Sequence, residues 1–240
     1  MIVVRRGTER QHIQSGKCDI WLSFYPENHA GVLSEGFGGL SIFNEMRLPP
    51  GESPDSHPMN ETETITYVYK GALAQEGSQG CSGVVHTSEF KRMTTGLAIR
   101  YKETNASRTD WAHIFRIYLP LSVVGLDCTH EHKHFTAAER RKVLCAVASP
   151  DGRKGSLRIH QDTCIYSSIL DPSQHIVHEL LPGRKAWLHI VYGEAMVNGI
   201  DLVQGDGVGI ISEPSVSLTV QENTELLLVD TIPNSRKLHV

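Results

Sequence analysis

Cysteine is scarce and scattered in this chain. The five that occur, Cys18, Cys81, Cys128, Cys145 and Cys164, are odd in number and never form a CxxC pair, which argues against a disulfide framework and against a zinc knuckle. Idle thiols are expected. Long apolar runs are missing as well: no stretch approaches the roughly 18 consecutive apolar residues of a membrane span. Met1-Ile2-Val3-Val4-Arg5-Arg6 lacks the apolar core of a secretory signal, so the expected location is cytoplasmic. No run of five like charges occurs and the formal net charge is only −4. The basic footprint that nucleic acid requires is therefore absent, and neither nucleic acid nor a membrane is an expected partner. A GxSxG element is lacking too, and no His stands beside a Ser or Cys in a nucleophile motif, so nucleophilic catalysis has no support. Gly205-Asp206-Gly207 precedes no helix that could supply amide dipoles to a phosphate, and it reads as a hairpin turn.

What is present is an ordinary globular composition, 40% hydrophobic and 21% charged over 240 residues, enough for one large β domain or two small ones. Apolar residues alternate with period two in short segments bounded by turn residues, the pattern of an antiparallel β protein. Over residues 40–48, Leu40, Ile42, Met46 and Leu48 face one way and Ser41, Glu45 and Arg47 the other, with Phe43 and Asn44 as exceptions. Similar segments lie at 65–69, 113–119, 157–160, 187–191 and 226–229. One helix is expected, at 136–141, where Thr136 and Glu139 form a capping box. Val68-Tyr69-Lys70-Gly71-Ala72 is echoed by Val191-Tyr192-Gly193-Glu194-Ala195, which suggests a duplicated β unit. The chain is expected to divide into 1–134, ending in a linker that carries His130, His132 and His134, and 135–240. That trio would align on one face if extended, but in a solvated connection it is not expected to be a metal site.

The chemistry-bearing run is Gly51-Glu52-Ser53-Pro54-Asp55-Ser56-His57-Pro58-Met59, followed by Glu63, Thr66-Tyr67-Val68 and Gly71. A glycine turn followed by H-x-H on a β-strand would set two imidazoles on one face, half of a metal site; here Met59 breaks the pair. A second block, residues 89–103, opens Glu89-Phe90 and closes Tyr101-Lys102-Glu103, again a same-face pair. A third comprises Ser149-Pro150-Asp151, Gly155-Ser156-Leu157 and His160-Gln161-Asp162.

These blocks resemble the pirin family, whose patterns run roughly H-P-H-x-x-x-E-x-x-T-Y-V-x-x-G and E-F-x-x-M-x-x-G-x-G-I-x-H-x-E. The resemblance implies an all-β bicupin, two antiparallel β-barrel domains in tandem. In the family the N-terminal barrel holds one metal through three histidines and a glutamate, and the C-terminal barrel holds none. Carried over, His57 and Glu103 match ligands, whereas Met59 and Tyr101 replace histidines and Ala98 replaces a glycine. His113 is expected in the pocket or core as a satisfied structural histidine, and Arg116 and Tyr118 stand where the family commonly has Gln and Trp. Without a cation, Glu103 is expected to be neutral and hydrogen-bonded to Tyr101 or His57, or paired with Arg100 or Lys102.

The expected cofactor is none; any that binds is a divalent Fe, Ni or Cu ion in the N-terminal domain, held by His57 and Glu103. The expected function is a non-catalytic binding or regulatory protein with a protein partner or a small aromatic ligand. The alternative is a quercetin 2,3-dioxygenase-like oxygenase with an unusual His/Met/Tyr/Glu site and Glu103 as catalytic base.

Overall fold

The computed structural model of the chain describes residues 1–24, 33, 36–54, 61–77, 82–95, 101–121, 123 and 125–233, with the side chain of Tyr101 left out. In chain order the described strands are β1 (Ile2–Arg5), β2 (Gln11–Ser15), β3 (Cys18–Phe24), β4 (Ile42–Leu48), β5 (Thr62–Lys70), β6 (Ala72–Gly77), β7 (Gly83–His86), β8 (Glu89–Thr95), β9 (Tyr101–Asn105), β10 (Ala112–Pro120) and β11 (Thr129–His134). After α1 (Ala137–Arg140), the single α-helix among the described residues, come β12 (Cys145–Ser149), β13 (Leu157–Arg158), β14 (Thr163–Leu170), β15 (His175–Glu179), β16 (Lys185–Tyr192), β17 (Glu194–Val197), β18 (Ile200–Val203), β19 (Gly207–Ile211), β20 (Ser215–Val220) and β21 (Thr224–Thr231). The period-two segments at 40–48, 65–69, 113–119, 187–191 and 226–229 thus fall on β4, β5, β10, β16 and β21, while 157–160 forms only the two-residue β13. No helix among the described residues is long and apolar enough to cross a membrane.

Two seven-stranded sheets carry the fold, in the orders β11-β8-β5-β10-β4-β3-β2 and β1-β19-β16-β21-β14-β12-β13. Small sheets, β7-β6-β9 and β15-β20-β17-β18, face them. The central order β8-β5-β10-β4 of the first sheet corresponds to β19-β16-β21-β14 of the second, so the halves repeat one plan, with the echoed segments offset by one residue. Gly71 and Gly193 close the equivalent turns after β5 and β16 with φ of 83° and 82°. A Cβ would meet Ala112 Cα at 2.9 Å at the first and Asn223 O at 2.5 Å at the second, so both turns need glycine. One end strand crosses between the halves, β1 joining β19 of the second sheet, while β11, the histidine run expected in a solvated connection, pairs with β8 at the edge of the first. Its backbone finds partners there that a linker would have to find in water.

The central strands of each large sheet are buried on both faces, because three apolar layers are stacked. One fills the first barrel, with Met46, Leu48, Val68, Leu73 and Ile114. A second fills the other barrel, with Leu188, Ile190, Val208, Ile210, Leu226 and Leu228. The third joins the sheets back to back, with Phe43, Tyr67, Phe90, Phe115, Trp187, Leu227 and Val229. This explains why Phe43 departs from the simple alternation of β4: the face it shares with Glu45 is not solvent but the joint.

Polar groups in the joint are tied across it. Glu63, fully buried, accepts from the His160 backbone N–H at 2.8 Å, lies 3.0 Å from His160 Nδ1 and accepts from Thr94 Oγ1 at 3.0 Å. The Tyr67 hydroxyl donates to Glu225, and Arg140 Nη1 donates to Tyr67 Oη at 3.0 Å and to Glu225 Oε1 at 2.7 Å. Arg140 is delivered by α1, which the expected capping box starts: the Glu139 N–H donates to Thr136 Oγ1 at 3.2 Å and the Thr136 N–H donates to Glu139 at 2.7 Å. Glu45 meets Arg10 at 2.6 Å and His113 at 2.8 Å. Burial alone would raise its pKa, but the His113 hydrogen bond and the Arg10 charge bring it down to about 2.

Candidate functional site

The inner face of the first large sheet is set by strand register. Residues directly opposite across antiparallel pairs point to the same face. The pairs His132↔Lys91, Lys91↔Thr66, Thr66↔Arg116 and Arg116↔Asn44 therefore draw one continuous polar row across β11, β8, β5, β10 and β4. The next row is His130, Met93, Thr64, Tyr118 and Ile42. On the other side of the polar row lies the apolar floor formed by Val68, Ile114 and Met46.

Opposite this row stands β9, where Glu103 pairs with Gln75 of β6. The end of β9 is pinned by Asn105, whose side-chain amide donates to the carbonyls of Leu48, Pro49 and Asp110 at 2.9, 3.0 and 2.8 Å. Ser53 Oγ donates to the Glu103 carbonyl. Glu103 is thereby held with its carboxylate aimed at the polar row. There Lys91 Nζ donates to Oε1 at 3.2 Å, and Arg116 Nη2 donates to Oε2. Arg116 Nη1 also reaches the Tyr118 hydroxyl at 3.3 Å. The side chains of Lys91, Glu103 and Arg116 are only 4, 6 and 8% exposed, so this triad lies out of bulk water.

Its electrostatics follow from the geometry. Burial pushes the Glu103 carboxyl up, but Arg116 and Lys91 outweigh it and hold the group below its ordinary value, hence ionised. Glu103 is therefore neither neutral nor paired with Lys102, which is exposed on the opposite side of the strand; its partners come from β8 and β10. The same positive field appears at the sheet edge, where burial and then Lys91, His132 and Arg92 lower the pKa of His130.

Of the residues singled out from the sequence, His57, Met59 and Arg100 lie outside the described residues, and Tyr101 opens β9 with its side chain undescribed. His113 does not join Glu103: it is turned to the joint, bonded to Glu45 and edge-on to Tyr69 at 5.2 Å. Lys91 is the member of the site that sequence reasoning missed. Its signal was alternation along β8, where Lys91 and Met93 share a face. No group of three or more His, Cys, Asp or Glu side chains among the described residues is arranged to hold a metal.

In the second barrel the equivalent row, drawn by the same strand order from Val4 through Val208, Leu188 and Leu228 to Tyr166, is almost wholly aliphatic. The two barrels therefore share a backbone plan and differ in what fills it.

Comparison with known proteins places this arrangement in a family. The family model for pirin matches residues 8–119, and that for the quercetinase C-terminal cupin domain matches residues 146–231. A quercetin 2,3-dioxygenase of Escherichia coli K12 is 31% identical over 97% of this chain and 100% of its own length. This chain belongs to the pirin family. Its bicupin fold is that of the bacterial pirin YhhW of Escherichia coli, solved in complex with nickel(II), with a TM-score of 0.90 at 31% identity over 97% of this chain and 100% of that one. A quercetin 2,3-dioxygenase from Acinetobacter baumannii shares the fold at 16% identity, with a TM-score of 0.78 over 96% of this chain and 86% of that one.

Proposed function

We propose that this pirin-family bicupin is a non-catalytic binding protein whose N-terminal barrel is organised around a buried ion triad, whereas one relative was solved in complex with nickel(II). The observation that carries the reading is the engagement of both Glu103 oxygens by Lys91 and Arg116. A divalent cation bonded to that carboxylate would lie within about 4 Å of two fixed positive charges, which a metal site avoids. The donor set read from the sequence points the same way. His57 and Glu103 match family ligands, whereas Met59 and Tyr101 put a soft thioether and a phenol where imidazoles are expected. The residues present do not fit a resident Fe, Ni or Cu ion.

The second reading is the oxygenase, and what favours it is the comparison: an Escherichia coli relative is named quercetin 2,3-dioxygenase, and an Escherichia coli pirin at the same identity and coverage was solved with nickel(II). One experiment separates the two. Protein purified without a histidine tag is analysed for Fe, Ni and Cu and assayed for quercetin consumption with each divalent metal added. The triad reading expects metal well below stoichiometric, under about 0.1 per chain, and no metal-dependent turnover, as a dissociation constant at least about tenfold above the free metal concentration gives. Near-stoichiometric metal that is lost in Glu103→Ala would overturn it.

A further inference from the structure

The joint between the halves holds two buried polar rings, and the fold makes them counterparts. Tyr67 and His189 each stand four residues before a turn glycine, Gly71 and Gly193, on the corresponding strands β5 and β16. Both reach across the joint, and they meet opposite receptions there. Tyr67 is bonded by Arg140 at 3.0 Å and by Glu225. His189 is met by Phe43 and Phe115, with ring centroids 4.6 and 5.6 Å away. It is 0% exposed, and neither of its ring nitrogens has a hydrogen-bond partner among the described residues.

Charged groups surround this imidazole, but the carboxylates among them are already committed to other cations. From the first half come Glu45 of β4, His113 of β10 and Arg10 from the segment before β2. Glu45 is bonded to Arg10 at 2.6 Å and lies 2.8 Å from His113 Nε2. Within its own sheet His189 stands between Leu227 and Gly207, with Arg5 of β1 next in that row. Asp206, which precedes Gly207, accepts from Arg6 Nη1 at 2.8 Å and from the Gly7 N–H at 2.7 Å. An imidazolium here would be stripped of water, packed on two phenyl rings and set beside the Arg10 charge, whereas the neutral ring is tolerated. Burial and then Arg10 bring the His189 pKa down to about 3, against the opposing pull of Glu45 and Asp206.

We infer that His189 is an acid-sensitive latch on the joint: the neutral ring lets the two sheets close on it, and a proton taken up by that ring loosens them. Its counterpart lacks this sensitivity, because burial and Glu225 push the Tyr67 hydroxyl further up from its ordinary value. The joint is therefore firm at one ring and proton-sensitive at the other. The folded pKa of His189 lies below the ordinary 6.5, so its contribution to closure is fully present above that value and is lost as pH falls toward the folded one. That window opens above the one in which Glu45 and Glu103 act, since their ordinary value is 4.5.

Trp187 supplies the reporter. It lies two residues from His189 on the joint face of β16, is 0% exposed and packs edge-on to Phe24 at 5.0 Å. Replacing the other two tryptophans, in Trp21→Phe/Trp111→Phe, leaves its emission alone to report on the joint. The test unfolds this parent in urea near pH 7 and near pH 5, with and without His189→Phe. Relative to His189→Phe, the folding equilibrium constant of the parent is expected to fall about twentyfold between the two pH values, as uptake of one proton by the open form requires. A relative fall under about tenfold overturns the latch, because the titrating group then lies elsewhere. A parent midpoint that does not move also overturns it, and that outcome needs no variant. Should His189→Phe not fold, His189→Leu takes its place in the comparison.

Discussion

Histidine restored at both lost positions, in Met59→His/Tyr101→His, is expected to leave the pocket without a stoichiometric divalent ion. The obstacle lies in residues that the family patterns do not point to. A metal bonded to Glu103 would approach Lys91 and Arg116, which hold that carboxylate from β8 and β10. Two unit charges about 4 Å apart interact by about 1 kcal/mol in bulk water and about 4 kcal/mol at an effective dielectric of about 20. A divalent ion doubles that against each cation. Even the water-like value, counted for both, comes to about 4 kcal/mol, close to a thousandfold in affinity. Adding Arg116→Gln and Lys91→Met to the two histidines is therefore expected to raise nickel affinity at least about 100-fold over the double variant. Calorimetric titration with nickel(II) at neutral pH checks both steps. Tight one-to-one binding by the double variant alone would mean that the ion triad yields to a metal.

Glu103→Gln is the substitution expected to cost most stability. It leaves Lys91 and Arg116 facing one another out of bulk water without the carboxylate that both now bond. Removing one partner of a buried ion pair typically costs about 3–5 kcal/mol, because the remaining charge stays desolvated. Urea unfolding at neutral pH measures the loss. The sign of its pH dependence is fixed as well. The folded pKa of Glu103 lies below its ordinary value of 4.5, held down by Arg116 and Lys91 against the effect of burial. Its contribution is thus fully present above that value and is lost as pH falls through the folded one, so the gap between wild type and Glu103→Gln closes only in acid. A variant as stable as wild type at neutral pH would mean that the triad contributes nothing.

Much of the fold was legible because the strands at the centre of each sheet carry strong local patterns. β4, β5, β10, β16 and β21 lie where period-two or apolar runs put them, and Thr136 with Glu139 announced α1. What local pattern could not give was which face is wet. Phe43 and Glu45 lie on the face of β4 that a single sandwich would expose, yet that face is buried against the second half. The histidine run was hidden for a similar reason: its alternation is polar on both faces, and only an edge next to β8 makes it a strand.

The site was half legible. The family's H-x-E pattern, met here as Tyr101-Lys102-Glu103, drew attention to the carboxylate, and Arg116 was marked as standing where the family commonly has Gln. That Arg116 meets Glu103 depends on β10, β5 and β8 lying side by side, a non-local fact. Some family-matching residues turn out to serve the joint rather than the pocket. Glu63 anchors His160, linking the first and third motif blocks across the two halves, and Tyr67 bonds Glu225 while stacking on Phe90 at 4.3 Å. Motif agreement here reports how the barrels are held together, and it is silent on which cation neutralises Glu103.

The most direct test is a crystal of the untagged wild-type protein grown in excess nickel(II), with diffraction recorded at the nickel absorption edge. The account predicts no anomalous peak within bonding distance of Glu103, whose carboxylate remains on Lys91 and Arg116. A nickel peak bonded to Glu103, with those two side chains swung away, would contradict it.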